Sequence, residues 1–269
     1  MLSSAFNVFM VLPKRTDLIL TMVRREISDR YAGQIFGALW AIGHPVFMTG
    51  LYLFVFGVIF KQRVGGTFEM PLDYTAYLLA GLSCWLSVQD GLQKSCSIIT
   101  SNAALVKQTV FPLEVLPIKS MIVSLVPQIV SLSILTTYVA IKYGSLHTTY
   151  LLLPLLIAVQ FIGMVGIAFL LSILGAYLRD LKDIIQLAAS AGIYLTPIFY
   201  LPNLVPAVFE PLLYANPYSY LVWCYQDILY YGRFEHPWAW LVTICFNLFM
   251  FCLGATFFAK VKPLLGNIL

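Results

Sequence analysis

The chain has 269 residues, of which 60% are hydrophobic and only 10% charged, against about 45–50% and about 25% in water-soluble domains. So few polar side chains cannot cover a water-facing globule of this size, and a mean hydropathy of +0.86 agrees that the solvent is lipid. The net charge of +4 is too small, and too dispersed along the sequence, to indicate a nucleic-acid partner.

From the N-terminus, Met1–Val11 is apolar but too short to span, and no basic stretch precedes it, so no secretory signal peptide is expected. In Asp17–Tyr31 the apolar residues Leu18, Ile19, Met22, Val23, Ile27 and Tyr31 recur every three or four positions, which makes one face of a helix. The other face carries Arg24, Arg25 and Asp29, with Arg25–Asp29 and Glu26–Arg30 spaced for i,i+4 pairs. A basic amphipathic helix of this type, with Arg24, Arg25 and Arg30 toward the headgroups, lies in the membrane interface.

Crossing the hydrocarbon layer takes about 20 mostly apolar residues, and six segments are expected to do so: Ile35–Phe60, Tyr74–Ile99, Leu116–Ile141, Tyr150–Tyr177, Ile184–Tyr200 and Trp238–Ala259. The division that follows is a cytoplasmic segment (1–34), a six-span domain (35–260) and a cytoplasmic tail (261–269). With both termini on one side, that side collects 12 of the 16 Lys and Arg, which makes it cytoplasmic. Inside the spans His44 is the only titratable group away from an edge, and next to Pro45 it reads as a hydrogen-bonded structural residue. Asp90 and Lys94 lie one turn apart and can pair. Five scattered cysteines show no metal-ligand spacing, and no metal site is expected.

Two connections stand out. In Thr100–Leu116, Ser101 or Asn102 can cap a short helix through Ala103, Ala104, Leu105, Val106 and Lys107, and Pro112 and Pro117 bound the return to the membrane. An exposed Leu105 and Val106 on a cytoplasmic helix suit docking onto another protein. Leu201–Glu235 is long for a connection and is broken by Pro202, Pro206, Pro211 and Pro217, yet eight of the 16 tyrosines fall between Tyr194 and Tyr231. Short re-entrant or interfacial helices between spans five and six fit it. Its aromatics, with Tyr194, Phe199, Tyr200, Tyr214 and Tyr218 foremost, read either as an interfacial belt or as a stacking path for sugar rings. No GxxxxGK[ST] loop occurs, so the chain has no ATPase site of its own.

Several short patterns recur in a fixed order. Arg30, Tyr31, Gly37, Leu39, Trp40 and Pro45 are followed by Val55, Phe56, Ile59 and Phe60; then Asn102, Leu105, Val106, Phe111, Pro112, Glu114, Leu116 and Pro117; then Arg179-Asp180, Thr196-Pro197-Ile198-Phe199-Tyr200 and Asn216-Pro217. In these the chain resembles the polysaccharide-export permeases of the ABC-2 type, and the O-antigen type most. The resemblance implies a homodimer bound to two copies of a separate ABC ATPase subunit, which would hold the ATP and Mg. It also implies a coupling helix within Ser101–Phe111 (Asn102, Leu105, Val106, Lys107 and Phe111), outer gate helices after span five, and a cargo of polysaccharide or lipid-linked glycan crossing the bacterial inner membrane. The other readings are an ABC-2 permease for drugs or small lipids, whose outer segments are less aromatic, and a membrane transferase acting on lipid-linked sugars. A transferase calls for paired carboxylates or metal ligands, which Glu69, Asp73, Glu210, Asp227 and Glu235 do not provide by spacing.

Overall fold

The computed structural model describes residues 15–30, 32–59, 71–107, 111–202 and 205–263, with only the backbone of Ala38, Gly57, Val106 and Lys107. Among them every regular element is helical. The helices are α1 (Thr16–Arg30), α2 (Trp40–Tyr52, continued as a π-helical stretch over Leu53–Ile59), α3 (Tyr74–Ser95), α4 (Ala103–Lys107), α5 (Val115–Tyr143), α6 (Leu153–Tyr177), α7 (Leu181–Leu195), α8 (Glu210–Ala215), α9 (Pro217–Gln226, with a π stretch Asp227–Tyr231) and α10 (Pro237–Val261). Tyr31, Phe60, Lys61, Arg63 and Glu69 lie outside the described residues.

Taken with its preceding turn, α6 runs from Thr148 to Tyr177, and this helix, α5 and α10 are each long and apolar enough to cross a membrane. The other expected spans are shorter than the sequence suggested. The apolar helix of the first begins only at Trp40, after a 3-10 turn at Gly37–Leu39, and runs to Phe56. The second ends at Ser95, not Ile99, and the fifth ends at Leu195, not Tyr200. The last difference follows from Pro197, which disfavours helical geometry at the residue before it; Thr196 is extended at φ −110 and ψ 152.

Helix α3 is the hub. It packs on α5, α6, α7 and α9, and its stretch from Ala76 to Trp85 is buried throughout. Helix α10 lies along α6, held there by two glycines. A methyl group on Gly166 would meet the backbone of Met250 and Phe251, and one on Gly254 would meet the backbone of Gly166. Small residues at a helix crossing let backbones approach closely, the usual route to contact where lipid tails are as apolar as the helices.

Helix α1 departs from the simple interfacial picture. Its apolar face is spent on protein, with Ile19 and Val23 buried and Leu18, Met22 and Ile27 half-covered in the same core, and its neighbour is α5. Arg25 pairs with Asp29 at 3.3 Å as spaced. Glu26 and Arg30, however, do not pair with each other: Glu26 meets Lys119 of α5 at 3.0 Å and Arg30 meets Asp90 of α3 at 3.6 Å. Tertiary partners win because both lie on the face turned toward the bundle. Arg24 points outward and is exposed.

At the far end, Asp73 caps α3 by accepting from the Ala76 N–H at 3.3 Å. The same carboxylate accepts from Lys142 Nζ at 2.7 Å and from the Tyr138 hydroxyl, while the Asp73 N–H donates to the Tyr143 hydroxyl at 2.9 Å. Burial alone would raise the Asp73 carboxyl. The hydrogen bonds from Lys142, Tyr138 and the Ala76 N–H outweigh it and hold the group below its ordinary value. A carboxyl depressed in the folded state contributes stability that is present above its unfolded-state pKa and lost as pH falls through the folded value. The thermal midpoint of the solubilised protein is therefore expected to drop between about pH 5 and about pH 3. Asp73→Asn should lower the midpoint at neutral pH and flatten that acid limb. An acid limb unchanged by the substitution would remove Asp73 as its source.

Candidate functional site

The place where α7 breaks is built with unusual care. Leaving the helix at Thr196 frees backbone carbonyls that a lipid environment cannot satisfy, and such backbone persists at membrane depth only where protein supplies the donors. Here α3 and α9 supply them. The Tyr77 hydroxyl donates to Pro197 O and to Tyr200 O, both at 3.2 Å, Gln226 Nε2 donates to Pro197 O at 2.8 Å, and the Tyr74 hydroxyl donates to Phe199 O at 2.9 Å. Tyr74 and Tyr77 sit one turn apart and so reach the same strip of chain.

The break also gathers aromatic rings. The buried Phe199 stacks on Phe56 at 4.2 Å and 16°, with Tyr52 and Tyr194 each 5.6 Å away. Tyr194 is 59% exposed, and Tyr200, half-buried, donates its hydroxyl hydrogen to Tyr194 O at 3.1 Å. Tyr194 and Tyr200 line an open cavity of about 360 Å3 together with Val205, Pro206, Phe209 and Leu212. Tyr214 and Tyr218 stand elsewhere. Tyr214 leans on Trp223 at 5.5 Å, and Tyr218 lies edge-on to Trp85 at 5.7 Å and to Phe246 at 6.1 Å. Of the five aromatic residues singled out from sequence, three meet at one place and two do not.

Below Tyr194, α7 presents Asp183, Gln186 and Ser190 on the same exposed face, while Ala189, Gly192 and Ile193 are buried, against α3. This polar stripe on a short helix was not picked out from sequence, although its spacing of three and four residues was there to be read.

Residues 205–231 form a hairpin. At its turn the Asn216 side-chain amide donates to Leu195 O at 3.4 Å, its Oδ1 caps α9 at Tyr218 N–H, and Tyr218 rests on Trp85 halfway along α3. The returning limb reaches the start of α3, where the Tyr230 hydroxyl donates to Leu72 O at 3.0 Å. Asp227, 1% exposed, is satisfied there by the His236 N–H at 3.1 Å, by His236 Nδ1 at 2.9 Å and by Trp240 Nε1 at 3.0 Å, so it joins α9 to α10 instead of standing as an outer acidic residue. In the middle of the bundle Gln128, Gln160 and Tyr225 close a fully buried network. Tyr225 OH and Gln128 Nε2 approach each other at 2.6 Å, the hydroxyl lies 2.6 Å from Gln160 Oε1, and the two amides exchange bonds of 3.1 Å. Attention to ionisable residues alone overlooked these amides, though each lies well inside an apolar run.

At the α1 end, Lys119 is buried with Glu26, Asp90 pairs with Lys94 as expected from their spacing, and Lys262 reaches Glu114 at 2.6 Å. The connection between α3 and α5 lies here. Ser101 and Asn102 do not cap α4: Ser101 Oγ and Asn102 Nδ2 both donate backward to Ile98 O, at 3.3 and 2.7 Å, and so fix the preceding turn. Leu105 is 38% exposed and Phe111 is half-covered by the core. The side chains of Val106 and Lys107, and residues 108–110, lie outside what is described.

Long apolar helices, a helix break sealed by side chains, and buried polar groups joined across helices define a multi-pass membrane protein. Residues 17–230 match the family described as ABC-2 type transporter, and the chain belongs to that family. It is 24% identical over 255 residues to an O-antigen export system permease protein RfbA of Klebsiella pneumoniae, covering 94% of this chain and 95% of that protein. A second Klebsiella pneumoniae protein of that name is 22% identical over the same length, and one from Myxococcus xanthus is 25% identical over 219 residues, or 80% of this chain and 81% of that protein.

The seal at the break gives a direct test. Tyr77→Phe removes the donor shared by Pro197 O and Tyr200 O, and leaving buried carbonyls short of partners costs about 1–3 kcal/mol. The expected result is a lower thermal midpoint in detergent with the helix content kept. A midpoint equal to that of the wild type would mean that the segment does not depend on this hydroxyl.

Proposed function

We propose that the chain is the membrane-spanning permease subunit of an exporter that carries a polysaccharide or lipid-linked glycan, of O-antigen type, across the cytoplasmic membrane. The observation that carries the reading is the aromatic site at the Pro197 break, where exposed Tyr194 and half-buried Tyr200 border a cavity. Ring faces hold the C–H faces of sugars without strict direction, and a conducting path needs sites that bind well enough to accept a chain and weakly enough to release it. The full-length similarity to O-antigen export permeases supports this cargo over drugs or small lipids. The buried, fully bonded state of Asp227 takes one carboxylate away from the transferase reading.

In this reading six spans are formed by α2, α3, α5, α6, α7 with its broken continuation, and α10, and the hairpin of α8 and α9 re-enters from outside. The α1 end is cytoplasmic, in keeping with its share of basic residues. The chain works as a homodimer with two copies of a separate ABC ATPase, which holds the ATP and Mg, and the connection from Asn102 to Phe111 is the docking element for that subunit. Exposed Leu105 supports this, since an apolar side chain on a short aqueous helix lowers its free energy when a partner covers it.

Replacing Leu105 and Val106 together with Asp is expected to abolish glycan export and ATPase stimulation while membrane insertion stays normal. Wild-type export by this variant would remove the docking assignment. For the path, Tyr194→Ala should lower export about two- to tenfold, the equivalent of roughly 0.5–1.5 kcal/mol per ring contact, with Tyr194→Phe close to wild type. Trp238, 76% exposed on α10, is the comparison residue. Trp240 is not suitable, because its indole N–H is tied to Asp227. Export that falls for Trp238→Ala and not for Tyr194→Ala would favour an interfacial belt over a lined path.

A further inference from the structure

A second cavity, of about 340 Å3, lies among α1, α2, α3 and α5, within the size range of small-molecule sites, about 300–1,000 Å3. One wall comes from α2, where His44, Met48 and Tyr52 follow each other at four-residue spacing. The facing wall comes from α3, where Gln89 and Gln93 do the same. Neither glutamine nor His44 has a hydrogen-bond partner among the described residues.

At the mouth Asp90 lies between two cations, Lys94 and Arg30, the latter at 3.6 Å. An acyl chain would fill the space and leave both amides and the imidazole unbonded, which is the costly way to occupy a site of this kind. A ligand with several hydroxyl groups fits, because an amide offers two donors and an acceptor and a hydroxyl can answer either. At its inner end the cavity reaches Tyr52, whose ring is 5.6 Å from Phe199, and Phe199 in turn touches Tyr194 of the outer cavity. The two cavities thus share one run of rings.

Resting on the export reading, we infer that this cavity is an entry station that holds one or two sugar units of the glycan, through Gln89, Gln93 and His44 with Tyr52 as the stacking face, before they pass to the aromatic site at the Pro197 break. The ligand class is a hydroxyl-rich saccharide segment; a lipid tail is not what the walls are made to hold.

The test uses the full chain assembled with its ATPase in cells that make the surface glycan. A photo-crosslinking amino acid in place of Met48, which lines the cavity, is expected to give a chain–glycan adduct detected by an antibody to that glycan. Gln89→Leu combined with Gln93→Leu should reduce the adduct and export at least tenfold while co-purification with the ATPase and the thermal midpoint stay at wild-type values. Gln93→Asn should restore part of both. If the double variant fails to fold, Gln89→Met and Gln93→Met taken singly serve in its place. Normal export with no glycan adduct, or an adduct with membrane lipid instead, overturns the entry station and leaves the export reading standing. Surface glycan that is unchanged when the chain is deleted overturns the export reading, and this inference with it.

Discussion

The structure depends on how the backbone from Thr196 to Tyr200 is satisfied. In lipid a helix can end inside the protein only if its freed carbonyls find donors, and each donor here fixes a different neighbour. Tyr74 and Tyr77 set the height of α3 against the break, and Gln226 sets the height of α9. Gly81 sits close to Ile198, Val222 and Gln226, so the three strips of chain meet with little space between them. Once the break is in place, Phe199 is driven into the stack with Phe56 and Tyr52, and Tyr194 is left at the edge facing a cavity. The seal and the exposed aromatic site are two results of one proline.

The hairpin after the break extends the same logic. Its turn is pinned to Leu195 O by Asn216, and its return limb is pinned to α10 by Asp227 and to the start of α3 by Tyr230. Between these lies Tyr225, locked to Gln128 of α5 and Gln160 of α6. Side-chain hydrogen bonds across helices in membranes contribute about 0.6 kcal/mol each on average, so no single one holds the hairpin. Their spread over α3, α5, α6 and α10 gives it a single position.

At the opposite end, ion pairs do the joining. Lys119 is buried beside Glu26, and a buried pair is costly to break from one side because it strands a charge. This fixes α1 to α5, and Lys262 with Glu114 fixes the end of α10 near the start of α5. The connection carrying Leu105 lies at this ion-paired end. Movement imposed on α5 by a docked partner would therefore reach α1 and α10 together.

Composition and runs of apolar residues were enough to read a helical membrane protein, the extents of α5, α6 and α10, the amphipathic character of α1 and the pairing of Asp90 with Lys94. All of these are local properties, set by solvent and by the helical repeat. The ordered motifs pointed to the family, because Thr196-Pro197 and Asn216-Pro217 mark places where backbone geometry, and not packing, limits the choice of residue. Tertiary structure decided the rest. Glu26 and Arg30 have suitable partners on their own helix and take others on α5 and α3; Tyr214 and Tyr218 carry the same side chain as Tyr194 and face other surroundings; and His44 lies at an open cavity lined by four helices. Each outcome depends on which groups from distant parts of the chain are brought within about 3–6 Å, and spacing along the sequence holds no record of that distance.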